Sequence, residues 1–158
     1  MATRAPTELL IQTDSPTETS ALGQRLAAVA EPGDLICLWG ELGAGKTVLA
    51  KGIGAGLGTT TTIASPSFIL MAEHVGRLPL FHLDLYRLVG AEDALDGGLL
   101  DERQAAGLTL IEWPERLGAA LPEPRLDIRL DLAGETRRWI TIRAVGPGLE
   151  RFLAVARA

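Results

Sequence analysis

"GELGAGKT" occupies Gly40 to Thr47 and directly follows the apolar run "LICLW", Leu35 to Trp39. The eight residues match G-x-x-x-x-G-K-[ST] at every fixed position, and that pattern holds phosphate when it joins a buried strand to a helix. Both flanks fit. "LICLW" reads as a short strand buried on both faces, as at the centre of a parallel sheet. From about Lys46 to Leu57 the apolar residues Leu49, Ile53 and Leu57 recur on one helical face, and Gly58 stands where such a helix stops. The glycines let successive backbone N–H groups turn toward one phosphate, and the helix start adds its dipole. Lys46 is expected to bridge the β- and γ-phosphates of a nucleotide, and Thr47 to offer its hydroxyl to Mg²⁺. The lysine is a specific choice, because the chain has 13 arginines, only two lysines (Lys46 and Lys51) and no asparagine. A planar guanidinium does not fit where a compact charge must sit between phosphates.

Mg²⁺ held with a nucleotide also needs an acid at a nearby strand end. Asp84 in "FHLDLYR" and Glu112 in "LIEWP" both close apolar runs, which is where ligands gather in open α/β sheets. Ser65, in "SPS" after a threonine-rich loop, is a candidate hydroxyl near the γ-phosphate, and a plain turn is the competing reading. His74 and His82 lack metal-ligand spacing, so His82 reads as a structural hydrogen-bonding residue.

The rest of the chain supplies the frame. "LLIQT" reads as a strand. "SPTE" starts a helix, with Ser15 as N-cap, Pro16 at its first position and Glu18 closing a capping box. "TTTTIASPSFILMAEH" begins as a polar loop and becomes a strand, and "HVGR" suggests a hairpin between it and the strand "LPLFHLDLYRL". "GAEDALDGGLLDERQAAG" reads as a helix broken at Gly97 and Gly98. Pro114 opens a short helix. "RLDIRLDLAGETRRWITIRA" alternates apolar and polar residues across Gly134, a hairpin with one wet face. "GLERFLAVARA" reads as a closing helix, for packing in the first place and with a partner contact as the alternative. Strands alternate with helices first and hairpins enter later. The expectation is therefore an α/β fold, a mixed β-sheet flanked by helices, with residues 1–158 as one P-loop NTPase-like domain.

Composition narrows the function. At 158 residues the chain can bury about two thirds of its unfolded surface. The N-terminal "MATRAPTELLIQT" has no apolar signal segment, and no run approaches the roughly 20 apolar residues of a membrane span. A lone cysteine, Cys37, inside a strand reads as inert packing and suits a reducing cytoplasm. The net charge of −5 disfavours direct grip on a phosphate backbone as the main activity. A guanine reader of the N-K-x-D or T-K-x-D kind is absent, since both lysines lie at or just after the glycine loop. ATP is therefore favoured over GTP. "DLAG", Asp131 to Gly134, matches D-x-x-G but reads more simply as a turn. A small-molecule kinase is the alternative, with Arg103 and Arg116 as lid candidates.

"GELGAGKT", "SPSF", "FHLDLYRL", an "ED" near a broken helix and "LIEWPERL" occur in this order. Together they resemble the TsaE family, the small ATPases of bacterial tRNA threonylcarbamoyladenosine biosynthesis. The resemblance spans roughly Thr19 to Arg143, and "HLDLYR" with "EWP" is more specific than the glycine loop. It implies that Gly43, Ala44, Gly45, Lys46, Thr47 and Val48 hold the phosphates of ATP. It further implies that Thr47 and Glu112 bind Mg²⁺, that Asp84 assists hydrolysis, and that Lys46, Asp84 and Glu112 form the catalytic set. Ser65 would belong to a switch loop, and Ser67 stands where the family often has threonine. Thr19 would lie near adenine, Trp113 would report on nucleotide or partner, and Arg137 or Arg138 would approach the nucleotide. The resemblance also implies partners, TsaD and TsaB, which carry out the transfer on tRNA.

A strand alternates its side chains, so Trp113 is expected to point away from the face that Glu112 uses, or along its rim. Pro114 is expected to keep Trp113 extended.

Overall fold

The computed structural model describes residues 7–60, 63, 71–87 and 102–157, with 102 and 103 described as backbone only. Seven strands form one sheet in the order β1-β7-β6-β2-β5-β4-β3. They are β1 (Glu8–Thr13), β2 (Leu35–Trp39), β3 (Met71–His74), β4 (Leu80–Asp84), β5 (Leu108–Glu112), β6 (Arg125–Leu132) and β7 (Arg138–Val145). The helices are α1 (Pro16–Ala28), α2 (Lys46–Leu57) and α3 (Glu150–Ala156). β6, β2, β5 and β4 run parallel, while β1–β7, β7–β6 and β3–β4 pair antiparallel. The mixed sheet expected from the sequence is therefore present, and both expected hairpins are found.

Each face of the centre of the sheet is buried for its own reason. On one face Ile36 and Leu38 of β2, Leu110 of β5 and Leu126, Ile128 and Leu130 of β6 pack against Leu22, Leu26, Leu49 and Ile53 of the helices. On the other, Leu35, Cys37, Leu83 and Ile111 gather with Leu85 and Leu117. Continuous apolar strands such as "LICLW" result, because neither face meets water. Cys37 is free and buried; burial first, and then the negative Asp127, pushes its thiol far above the usual range, so it stays inert.

α1 begins as the sequence expects, with the Ser15 hydroxyl accepting the Glu18 N–H at 3.2 Å. The reciprocal half of the capping box differs: the Glu18 carboxylate takes the N–H of Asp14 rather than that of Ser15. α1 and α2 approach so closely that a Cβ at Gly52 would stand 2.2 Å from the Ser20 carbonyl, and one at Gly23 2.6 Å from the Leu49 carbonyl. Glycine weakens a helix interior, and here it allows backbone contact between the two helices. α3 buries Phe152, Leu153 and Ala156 in the same core, so the closing helix does pack. The expected broken helix lies mostly outside the described residues; its end is a 3-10 turn at Glu102–Ala106. Among the described residues no helix is long and apolar enough to cross a membrane.

Candidate functional site

Strand register brings the sequence candidates together. Leu38 of β2 lies beside Glu112 of β5, and Glu112 lies beside Asp84 of β4. The carboxyl ends of three parallel strands thus meet, and the Gly40–Thr47 loop leaves β2 at that edge.

The loop is shaped by its glycines. Gly43 and Gly45 have φ of 83° and 104°, a left-handed backbone that side chains disfavour. Gly45 starts α2 without any side-chain cap, so the first N–H groups of the helix lack the usual side-chain acceptor and suit an anion. Ala44 is buried, while Thr47 and Val48 in the first turn are half-buried.

Lys46 is only 5% exposed. Its ammonium donates to the Gly40 carbonyl at 2.7 Å and stands 3.7 Å from the centre of the Trp113 ring. Burial lowers its pKa from the usual lysine value, against the opposing pull of Glu112, Glu115 and Asp84. Trp113 itself departs from expectation. Instead of the extended backbone that a following proline favours, it has φ 60° and ψ 49°. It also does not turn away from the site: its ring covers Lys46 and meets Tyr86 at 4.9 Å, tilted by 50°. A left-handed non-glycine residue costs about 1–3 kcal/mol, and the packing around the ring must hold it there.

Glu112 is buried, and its Oε2 lies 2.7 Å from Nε2 of the fully buried His82. A carboxylate only accepts, so Nε2 is the donor. The expected hydrogen-bonding role of His82 is found, and its partner is the proposed metal acid, which sequence reading missed. The available signal was spacing: His82 and Asp84 are two residues apart in β4 and leave the sheet on one face. Asp84 is half-buried and its Oδ1 accepts the Tyr86 N–H at 3.0 Å. Tyr86 was not singled out either; it is anchored by Asp84 and reaches Trp113.

Of the two late arginines, Arg138 reaches the loop. Its Nε donates to the Ala44 carbonyl at 2.9 Å, and its guanidinium also meets the carbonyls of Gly134, Glu135 and Arg137 in the hairpin turn. Arg137 instead pairs with Asp14. The turn that contains "DLAG" is closed by the Ala133 N–H on the Arg137 carbonyl. Thr19 is buried and its hydroxyl shares a 2.7 Å hydrogen bond with that of Thr13, where α1 meets β1. Ser65 and Ser67 lie outside the described residues. Among the described residues no group of three or more His, Cys, Asp or Glu side chains forms a metal cage. Glu112, steadied by His82, and the half-buried Thr47 in the first turn of α2 fit Mg²⁺ bound mainly through phosphate oxygens, which needs only one or two protein ligands.

A sheet of this order, with a glycine loop between its central strand and a helix, defines a P-loop NTPase-like α/β protein. The crystal structure of Bacillus subtilis YdiB superimposes with a TM-score of 0.78 at 36% identity, covering 98% of this chain and 97% of that one. The family model for "Threonylcarbamoyl adenosine biosynthesis protein TsaE" matches residues 13–140, and the chain belongs to the TsaE family. It is 41% identical over 140 residues to the tRNA threonylcarbamoyladenosine biosynthesis protein TsaE of Bacillus subtilis (strain 168), covering 88% of this chain and 87% of that one. It is 39% identical over 128 residues to the protein of the same name from Treponema pallidum (strain Nichols), covering 81% and 95%.

Proposed function

We propose that this chain is a single ATPase domain, acting in the cytoplasm in tRNA threonylcarbamoyladenosine biosynthesis. It binds and hydrolyses Mg²⁺·ATP in support of TsaD and TsaB, which form the modified adenosine at position 37 of tRNA. The observation that carries the reading is the meeting of Lys46, Glu112 and Asp84 at the carboxyl ends of three neighbouring parallel strands beside an uncapped glycine loop.

The geometry supports the following division of labour. The N–H groups of the Gly43–Val48 segment bind the phosphates, and Lys46 stabilises charge on the transferring phosphoryl group. Thr47 and Glu112 would hold Mg²⁺, which would neutralise charge on the phosphates. His82 keeps the Glu112 carboxylate in one orientation. Asp84, at the mouth of the site, orients the attacking water or takes its proton. Arg138 fixes the loop through the Ala44 carbonyl. The net charge of −5 fits a protein that leaves the RNA to its partners.

Phosphate release from ATP, measured with and without TsaB and TsaD, tests the reading. ATP hydrolysis that rises when the partners are added supports it. Silence in both conditions, followed by ADP formation only with a small acceptor, would replace it with a kinase.

A further inference from the structure

Among the described residues Trp113 is the one non-glycine residue with positive φ, and it stands immediately before a proline. Two pressures therefore oppose its backbone. The left-handed turn brings the indole over the Lys46 ammonium, 3.7 Å from the ring centre, instead of carrying it away along the strand direction. The Tyr86 ring packs against the indole, 4.9 Å away and tilted by 50°, and the Tyr86 backbone N–H is tied to the Asp84 carboxylate. The lysine is thus enclosed by one aromatic face and one carbonyl, that of Gly40. The three participants follow three different strands: Lys46 after β2, Tyr86 after β4 and Trp113 after β5.

A lysine that serves phosphates must leave neutral acceptors to do so. A π-face and a single carbonyl satisfy an ammonium well enough to bury it, yet both lose to a doubly charged phosphate. We propose that Tyr86 is a positioning residue that holds Trp113 over Lys46, and that the two rings keep the lysine stowed against Gly40 until a nucleotide β- or γ-phosphate takes it. This rests on the reading of the loop as a nucleotide site. It adds a source of specificity: a nucleotide that ends at its α-phosphate leaves the lysine stowed, so only a longer phosphate chain draws it out.

Lysine content makes the test direct, because Lys46 and Lys51 are the only lysines and Lys51 is exposed on the same helix. The full chain is treated with acetic anhydride, and the Lys46-to-Lys51 labelling ratio is read by peptide mass spectrometry. Trp113→Leu is expected to raise the ratio about tenfold, the size of a partly desolvated cation–π contact. Tyr86→Leu is expected to raise it about threefold, whereas Tyr86→Phe keeps the wild-type ratio because the ring alone does the holding. Trp113→Phe, which keeps a weaker π-face, should fall between wild type and Trp113→Leu, and it serves where the leucine variant does not fold. Mg²⁺-free ADP binding by calorimetry should tighten in the same order, with AMP binding unchanged. An unchanged ratio in the leucine variants, or a Tyr86→Phe ratio as high as that of Tyr86→Leu, overturns the proposal. So does ADP binding that weakens as the ratio rises, since Trp113 would then grip the nucleotide itself. If wild-type protein binds no ADP at all, the nucleotide reading fails while the labelling ratio still decides whether the rings stow the lysine.

Discussion

The centre of the sheet and its β6–β7–β1 flank handle charge in opposite ways. β2, β4 and β5 are apolar along nearly their whole length, and their carboxylates, Asp84 and Glu112, stand at one end. The flank alternates. One face of it supplies Ile128, Leu130, Ile140 and Ile142 to the core, while the other carries Arg125, Asp127, Arg129 and Arg143. With Trp39 of β2, those charged residues border a groove of about 310 Å³. Arg125 and Asp127 satisfy each other at 3.0 Å. The flank thus has more charges but spreads them along a wet surface. The centre has fewer and concentrates them, because parallel strands all end on the same edge. Strand direction, rather than the number of charged residues, builds the candidate site. The last hairpin joins the two regions through Arg138 on Ala44.

The comparison can be broken first at Lys46. Lys46→Ala should lower phosphate release by at least about 10²–10³-fold while leaving the fold intact by circular dichroism, since no other lysine is placed to substitute. Wild-type turnover in that variant would remove the concentrated end from the chemistry. The next effect is on stability. Leu38→Ala, at a fully buried position of β2, should cost about 2–5 kcal/mol in denaturant unfolding. Leu10→Ala, on the flank and 60% exposed, should stay within about 0.5 kcal/mol. Equal losses would contradict the assignment of the two regions.

The acids sharpen the picture within the site. Glu112→Ala should weaken Mg²⁺·ATP by about 10–100-fold and leave nucleotide binding in EDTA nearly unchanged. Asp84→Asn should slow hydrolysis more than it weakens binding. An exchange of these two phenotypes would reverse the roles of the acids. The smallest effect belongs to the bridge: Arg138→Ala should weaken ATP binding by about tenfold, the worth of one charged hydrogen bond to the loop. Arg138→Lys should restore little, because a single ammonium cannot reach Ala44 and the hairpin turn together.

Most of this was legible in the sequence wherever local pattern and final structure agree. The apolar "LICLW" and the glycine pattern after it placed β2, the loop and α2. The alternation in "RLDIRLDL" and "RRWITIRA" placed the last hairpin with its wet face. Legibility ended where the outcome depends on contacts between distant segments. Pro114 argued for an extended Trp113, and local sterics do favour it; packing against Lys46 and Tyr86 overrides that preference. The choice between Arg137 and Arg138 depended on which one the hairpin turn aims at Ala44, and neighbouring residues of one type carry no sign of it. His82 read as a structural hydrogen-bonding residue without a named partner, because that partner, Glu112, is 30 residues away. Gly52 and Gly56 inside α2 have no local reason, and α1 supplies it from across the interface, while Gly54 makes room for Ile63.

Hydrogen exchange with and without Mg²⁺·ATP tests the central claim most directly, because it reports on both regions in one experiment. The account predicts new protection in Gly40–Val48, around Asp84–Arg87, at Glu112–Arg116 and in the hairpin turn that holds Arg138. It predicts no change in Glu8–Gln12 or in Thr141–Val145. Protection centred instead on those flank strands and on Arg125–Arg129 would place the nucleotide on the wet face, and would contradict the claim that the site is built where the parallel strands end.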